Sequence, residues 1–364
     1  MKATQQLHDL NQSLWLDNIT RGLISKGTLF RYITELSVTG LTSNPTIFNH
    51  AVINTGFYNE AIRQKVFEGK SEEGLFYELA LEDLTHAADL FRPIYDATGG
   101  IDGWVSLEVS PHFAYDTAGT VKEAAKLYAL GNRPNLFIKI PGTREGLTAV
   151  EEMIFRGVPI NITLLFSREQ YLAAADAYMR GIERRIAAGL SPKVASVASL
   201  FVSRWDRAVM EKVPAEFQNR LGIAIAKRTY KAYREMMASP RWRELARAGA
   251  QPQRLLWAST GTKDPNVSDV LYIEALAAPD TINTMPMETL IAFADHGKIE
   301  RLLPVDGGDS EEMIAGFKKA GIDDTALASQ LQEEGTFSFS KSWDELIASL
   351  SSKRDNLLMT AHRK

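Results

Sequence analysis

One amine stands inside an apolar, β-branched run: Lys139 in Asn135-Leu-Phe-Ile-Lys-Ile-Pro-Gly-Thr143. The run has the composition of a buried strand, and Pro141-Gly142 ends it in a turn. Burying a lysine disfavours its charged form, and the neutral amine it favours is a nucleophile toward carbonyls. The same segment equally fits a strand-end lysine that reaches water or pairs with a carboxylate. Other residue types must decide between these readings.

Polar and ionisable groups recur at the ends of similar apolar runs: Asp17, Asn44, Glu108, Asn161 with Thr163, Ser199 with Arg204, Ser259 and Asn283. A lone Asn or Ser there is an ordinary turn former or helix cap. The set is more telling, because it joins one amine to two carboxylates, several hydrogen-bond formers and an arginine. That inventory suits Schiff-base chemistry. The amine attacks a ketone, the iminium withdraws electrons while a carbon–carbon bond breaks, and a carboxylate takes the proton from the neighbouring hydroxyl. Arg204 and the turn Ser259-Thr-Gly-Thr-Lys263 carry the cations and hydroxyls that suit phosphate oxygens.

The elements that must position these groups alternate along the chain. Short runs are expected as strands at Leu14–Ile19, Val38–Thr42, Trp104–Val109, Leu136–Ile140, Ile160–Leu165, Val194–Leu200, Leu255–Ala258 and Thr281–Met285. Amphipathic stretches such as Thr120–Leu130, Glu145–Phe155, Arg168–Ala188 and Glu288–His296 lie between them. Alternating strand and helix signals argue for parallel βα units, and eight units for an α/β fold of the closed (β/α)8, or TIM, barrel type. Alternation puts Phe137 and Lys139 on one face of their strand and Ile138 and Ile140 on the other. The whole of 1–364 is read as a single barrel domain with its core at about 12–300, helical insertions at 45–98 and 203–250, and a helical tail at 307–364. The basic run Lys227, Arg228, Lys231 and Arg234 is expected as a solvated helix face. In the tail, Phe337, Phe339 and Trp343–Leu350 are expected to dock an apolar stripe on the barrel.

Composition excludes several classes. The 364 residues carry a net charge of −4, which gives no sign of a nucleic-acid surface. The chain contains no cysteine, which rules out disulfides and thiolate chemistry and suits a cytoplasmic protein. No apolar run approaches membrane-spanning length, and no signal-peptide pattern opens the chain. Neither a Walker motif nor a GxGxxG opens a helix, and the six histidines (8, 50, 86, 112, 296 and 362) form no HExxH pair. No cofactor and no metal site is therefore expected.

Four separated strings then carry a resemblance: Gly40-Leu-Thr-Ser-Asn-Pro-Thr-Ile-Phe48, Ile138-Lys-Ile-Pro-Gly-Thr143, Asn161-Ile-Thr-Leu-Leu-Phe-Ser167 and Asp280-Thr-Ile-Asn-Thr-Met-Pro286. In this order, over most of residues 14–300, the chain resembles the transaldolases, class I Schiff-base barrels of the non-oxidative pentose phosphate pathway. Its length, the region of His112 and the turn at Trp257 are similar to the longer bacterial subfamily. The resemblance implies transfer of a dihydroxyacetone unit from sedoheptulose 7-phosphate to glyceraldehyde 3-phosphate, giving erythrose 4-phosphate and fructose 6-phosphate. It implies Lys139 as the Schiff-base lysine, Asp17 as the acid/base at the C4 hydroxyl, and Glu108 with Thr163 as the holders of a catalytic water. Asn44 and Asn161 would orient the donor's hydroxyls, Ser199 would touch the dihydroxyacetone unit, and Arg204 and Ser259 would grip phosphate. Lys263 is the candidate second cation, at a spacing that departs from the arginine two residues after the serine in better-known members. Phe201 favours a transferase, since aldolase-like relatives carry a tyrosine there. Sugar phosphates are the implied partners, with no nucleic acid or membrane, in a monomer or homodimer. The rival readings are a Schiff-base aldolase on fructose 6-phosphate and a non-catalytic sugar-phosphate-binding barrel.

Overall fold

A computed structural model describes residues 2–66, 70–262 and 264–361. Among these, eight strands close a parallel barrel in chain order: β1 (Ser13–Asp17), β2 (Val38–Thr42), β3 (Val105–Glu108), β4 (Leu136–Pro141), β5 (Ile160–Leu165), β6 (Ser196–Phe201), β7 (Gln253–Ala258) and β8 (Ile282–Met285). Each of the eight expected runs overlaps a strand, and the differences lie at the ends. β1 stops at Asp17 because the chain then leaves the sheet for the helix Arg21–Ser25, whose first turn Thr20 caps. β6 begins at Ser196 and β7 at Gln253 because these two residues pair with each other, an arrangement composition does not encode.

Strand alternation sorts the core into two layers. Leu14, Leu16, Ile138, Ile140, Ile160 and Ile162 face the helix layer, while Trp15, Phe137, Val197, Leu256 and Ile282 fill the barrel. Phe137 stacks on Trp104 with ring centroids 4.0 Å apart, and Trp15 lies 6.2 Å from Phe137. Gly40 makes room for this plug, since a Cβ there would stand 2.6 Å from the Trp15 indole nitrogen and 2.7 Å from the Trp104 carbonyl oxygen. Below the rings, Asp102 accepts hydrogen bonds from Ser13 and from Trp15 Nε1, while Arg254 donates to Ser13 Oγ and to the Thr281 carbonyl. The N-terminal end is thus sealed by apolar rings over a paired polar layer, which leaves the C-terminal end for chemistry.

The insertion at 45–98 folds as the helices Pro45–Asn54, Asn59–Val66 and Glu72–Ala97, and that at 203–250 as Ser203–Val209, Leu221–Ala238 and Pro240–Arg247. The tail holds the helices Ser310–Lys319 and Asp324–Ala361. Two expectations need correcting. Lys231 in the basic run is exposed, but the other three cations are ion-paired rather than free in solvent: Lys227 with Asp309, Arg228 with Glu311 and Asp324, and Arg234 with Asp280. Its acidic partners come from distant segments that fold back onto it. The tail's apolar stripe excludes Phe337, which is 73% exposed, and its Trp343 packs on Phe76 and Tyr77 of the Glu72–Ala97 helix. Phe339 is buried, because helical spacing turns it away from Phe337 toward the mouth of the barrel.

Candidate active site

Parallel pairing sets Glu108 beside Lys139 and Lys139 beside Asn161, so β3, β4 and β5 present one row of polar side chains. Lys139 is only 5% exposed. Its Nζ lies 3.2 Å from Glu108 Oε2 and donates to the Ser43 carbonyl at 3.2 Å. Asp17, at the end of β1, accepts a hydrogen bond of 2.8 Å from Thr42, which is itself 2.6 Å from the Thr284 hydroxyl. Burial pushes both carboxyls above their ordinary values, and the nearby Lys139 ammonium opposes this in each case without cancelling it.

Asn161 is fully buried; its Nδ2 donates to Ser106 Oγ at 3.1 Å and its Oδ1 accepts from Ser199 Oγ at 2.8 Å. It therefore lies behind Ser199, which forms part of the cavity wall. Glu108 Oε1 and Thr163 Oγ1 are buried with no hydrogen-bond partner in the protein, among the described residues. Such polar atoms are costly unless water or a ligand hydroxyl satisfies them.

The cavity at the barrel mouth has a volume of about 260 Å³ and is lined by Asp17, Asn44, Lys139, Thr163, Ser199, Phe201, Arg204 and Ser259. Asn44 also caps the Pro45–Asn54 helix through the Ile47 N–H, so the cap and site readings hold together. Arg204 stands in the first turn of the Ser203–Val209 helix, with its guanidinium carbon 5.1 Å from the Phe201 ring and 5.7 Å from that of Phe339. Glu334 and Glu108 act on it only from a distance, and among the described residues it forms no ion pair, which leaves its charge to a ligand anion. Ser259 adopts a left-handed backbone (φ +56°) and its hydroxyl lies 2.9 Å from that of Ser203. Lys263 lies outside the described residues.

A family model described as Transaldolase/Fructose-6-phosphate aldolase matches residues 14–350. The chain belongs to this family. It is 43% identical to the transaldolase of Saccharopolyspora erythraea, covering 96% of this chain and 97% of that one. The transaldolase of Thiobacillus denitrificans is 41% identical, with coverage of 96% and 100%, and that of Thermobifida fusca 43%, with 94% and 96%. The chain is thus an enzyme, a transferase of the transaldolase kind.

Part of the wall of this transaldolase-family barrel is not visible in the sequence. Thr46, Ile47 and His50 line the cavity from one stripe of the Pro45–Asn54 helix. Their helical spacing after the Asn44 cap was the available signal. Thr284 lines the cavity and Asn283 does not; Asn283 Oδ1 instead accepts from Thr260. A strand of four residues gives too short an alternation to fix its phase from composition. Ser338 and Phe339 complete the wall from the tail, and no local signal ties them to residues two hundred positions earlier.

Proposed function

We propose that transaldolase chemistry in this chain runs through a Schiff base on Lys139, with Asp17 as the proton carrier and Arg204 as the phosphate grip. The observation that carries this is the buried Lys139 amine 3.2 Å from Glu108 at the barrel mouth, in one cavity with Asp17. The amine adds to the ketose carbonyl, and loss of water leaves an iminium. Asp17 takes the proton of the C4 hydroxyl as the C3–C4 bond breaks, the aldose leaves, and the bond electrons form the dihydroxyacetone enamine. The enamine then attacks the acceptor aldehyde, Asp17 returns the proton, and water releases the new ketose. Glu108 Oε1 and Thr163 Oγ1, both buried without a protein partner, are suited to hold that water. Ser199, fixed by Asn161, and Asn44 would orient the donor's hydroxyls, while Ser259 would join Arg204 at the phosphate. The substrates are then sedoheptulose 7-phosphate and glyceraldehyde 3-phosphate, with erythrose 4-phosphate and fructose 6-phosphate as products.

Phe201 supports transfer over free release, since it offers the cavity a ring without a hydroxyl acid. The same reading treats 1–364 as one barrel domain, in a cytoplasmic monomer or homodimer with no nucleic-acid partner. The absence of cysteine and the net charge of −4 support it, and among the described residues no helix is long and apolar enough to cross a membrane.

Borohydride reduction in the presence of fructose 6-phosphate tests the chemistry: the peptide holding Lys139 should gain a reduced dihydroxyacetone adduct, and Lys139→Ala should lose both adduct and turnover. An adduct elsewhere, or an active Lys139→Ala enzyme, rules out this assignment. Fructose 6-phosphate cleavage should also depend on added erythrose 4-phosphate; equal cleavage without it marks an aldolase.

A further inference from the structure

The terminal helix Asp324–Ala361 crosses the mouth of the barrel. Gln332 donates to the carbonyls of Gly142 and Leu164, just beyond β4 and at the end of β5. Gly335 lets the helix come close: a Cβ there would meet Leu164 Cδ2 at 2.9 Å and Arg204 at 3.2 Å. One turn later the helix places Phe339, 7% exposed, in the cavity wall. The Phe339 ring lies 5.7 Å from Lys139 Nζ and 5.7 Å from the Arg204 guanidinium carbon.

We propose that Phe339 is a specificity-determining residue, the roof over the Lys139-bound intermediate that favours transfer to an aldehyde over release to water. This rests on the Schiff-base reading. The enamine has two fates. It can attack the acceptor, or its carbon can take a proton and water can then add to the C=N bond, releasing dihydroxyacetone and the free Lys139 amine. The second fate needs a proton source and water at the reacting atoms, and a ring over the nitrogen keeps that side apolar. The same ring faces the positive charge of the iminium, which sits on the Lys139 nitrogen. It also gives Arg204 its second aromatic face, so the residue that shields the intermediate also braces the arginine that would hold the acceptor's phosphate. Phe339 comes from the tail, outside all eight βα units, so its role is separable from the barrel's own chemistry.

The test compares the full-length enzyme with Phe339→Ala and Phe339→Leu. Fructose 6-phosphate and erythrose 4-phosphate are supplied together, and free dihydroxyacetone and sedoheptulose 7-phosphate are both measured. The ratio of release to transfer should rise by about tenfold or more in Phe339→Ala, and by less in Phe339→Leu, which keeps apolar bulk. A residue that merely holds the helix in place would lower both products together and leave the ratio unmoved. Borohydride trapping runs alongside. No adduct on wild-type Lys139 overturns the Schiff-base reading itself, whereas a normal adduct in both variants with an unchanged ratio overturns the role of Phe339 alone. If Phe339→Ala does not fold, the ratio in Phe339→Leu decides: a several-fold rise supports the roof, and wild-type partition refutes it.

Discussion

Asp17 and Glu108 share one cation, and their surroundings set them apart. Asp17 accepts a hydrogen bond from Thr42 and opens onto the cavity, whereas Glu108 lies behind Lys139 with an unsatisfied oxygen. In the proposed mechanism Asp17 removes the C4 proton and must then be ionised, while burial raises its pKa. The acid limb of kcat should therefore lie above the ordinary carboxylate range of about pH 4. Thr42→Val removes a hydrogen bond that favours the charged form and should move that limb to higher pH. A pH–rate profile on both enzymes checks this; a limb that stays in place would show that Thr42 does not tune the base. Asp17→Ala should still form the borohydride adduct while cleaving poorly, and cleavage at the wild-type rate would remove Asp17 from its role.

At the level of elements, the site is a barrel rim joined by a helix from the tail. Gly335 is where the two meet. Alanine there would add about 1 kcal/mol of helix propensity, but its Cβ would press on Leu164 and Arg204. Leu164 holds a left-handed backbone at φ +59°, in the stretch where β5 shifts register against β6, so it has little freedom to yield. Gly335→Ala should thus leave stability within about 1 kcal/mol of wild type, measured by urea unfolding, while KM for phosphorylated acceptors rises several-fold. An unchanged KM would mean that Arg204 adjusts freely. This junction also marks the limit of what the sequence made legible. The strands were readable because β-branched runs punctuated by turn residues reflect local physics, and Lys139, Asp17 and Glu108 follow from where those runs end. Thr284 was not, since a four-residue strand hides its phase. Neither was the choice of Phe339 over Phe337, because only the long-range seating of the helix decides which ring faces the barrel.

Across the whole molecule, buried ionisable groups fall in separate places: Lys139 and Glu108 at the rim, Asp102 and Arg254 under the rings at the other end, and Asp83, Glu123 and Asp206 outside the barrel. Asp206 is the instructive case off the strands. It lies in the Ser203–Val209 helix at 1% exposure, accepting from the Gly222 N–H at 3.2 Å and the Tyr272 hydroxyl at 2.8 Å. It thereby ties together three helices that follow β6 and β7. Burial pushes its pKa from 3.8 up to about 6, and the hydrogen bonds only partly oppose this. The folded state therefore binds a proton between those two values where the unfolded chain does not. Stability from this group is greatest at low pH and is lost as pH rises through about 6. Asp206→Asn keeps an acceptor for Gly222 and never ionises, so it removes this dependence. Urea unfolding of both proteins at pH 4.5 and 7.5 isolates the effect, because the rim carboxyls contribute equally to each. Relative to wild type, the Asn variant should be more stable at the higher pH than at the lower by about 2 kcal/mol, which follows from 1.4 kcal/mol per pKa unit. Equal differences at the two pH values would mean that Asp206 titrates alike folded and unfolded, and that the three-helix junction holds its carboxylate at no cost.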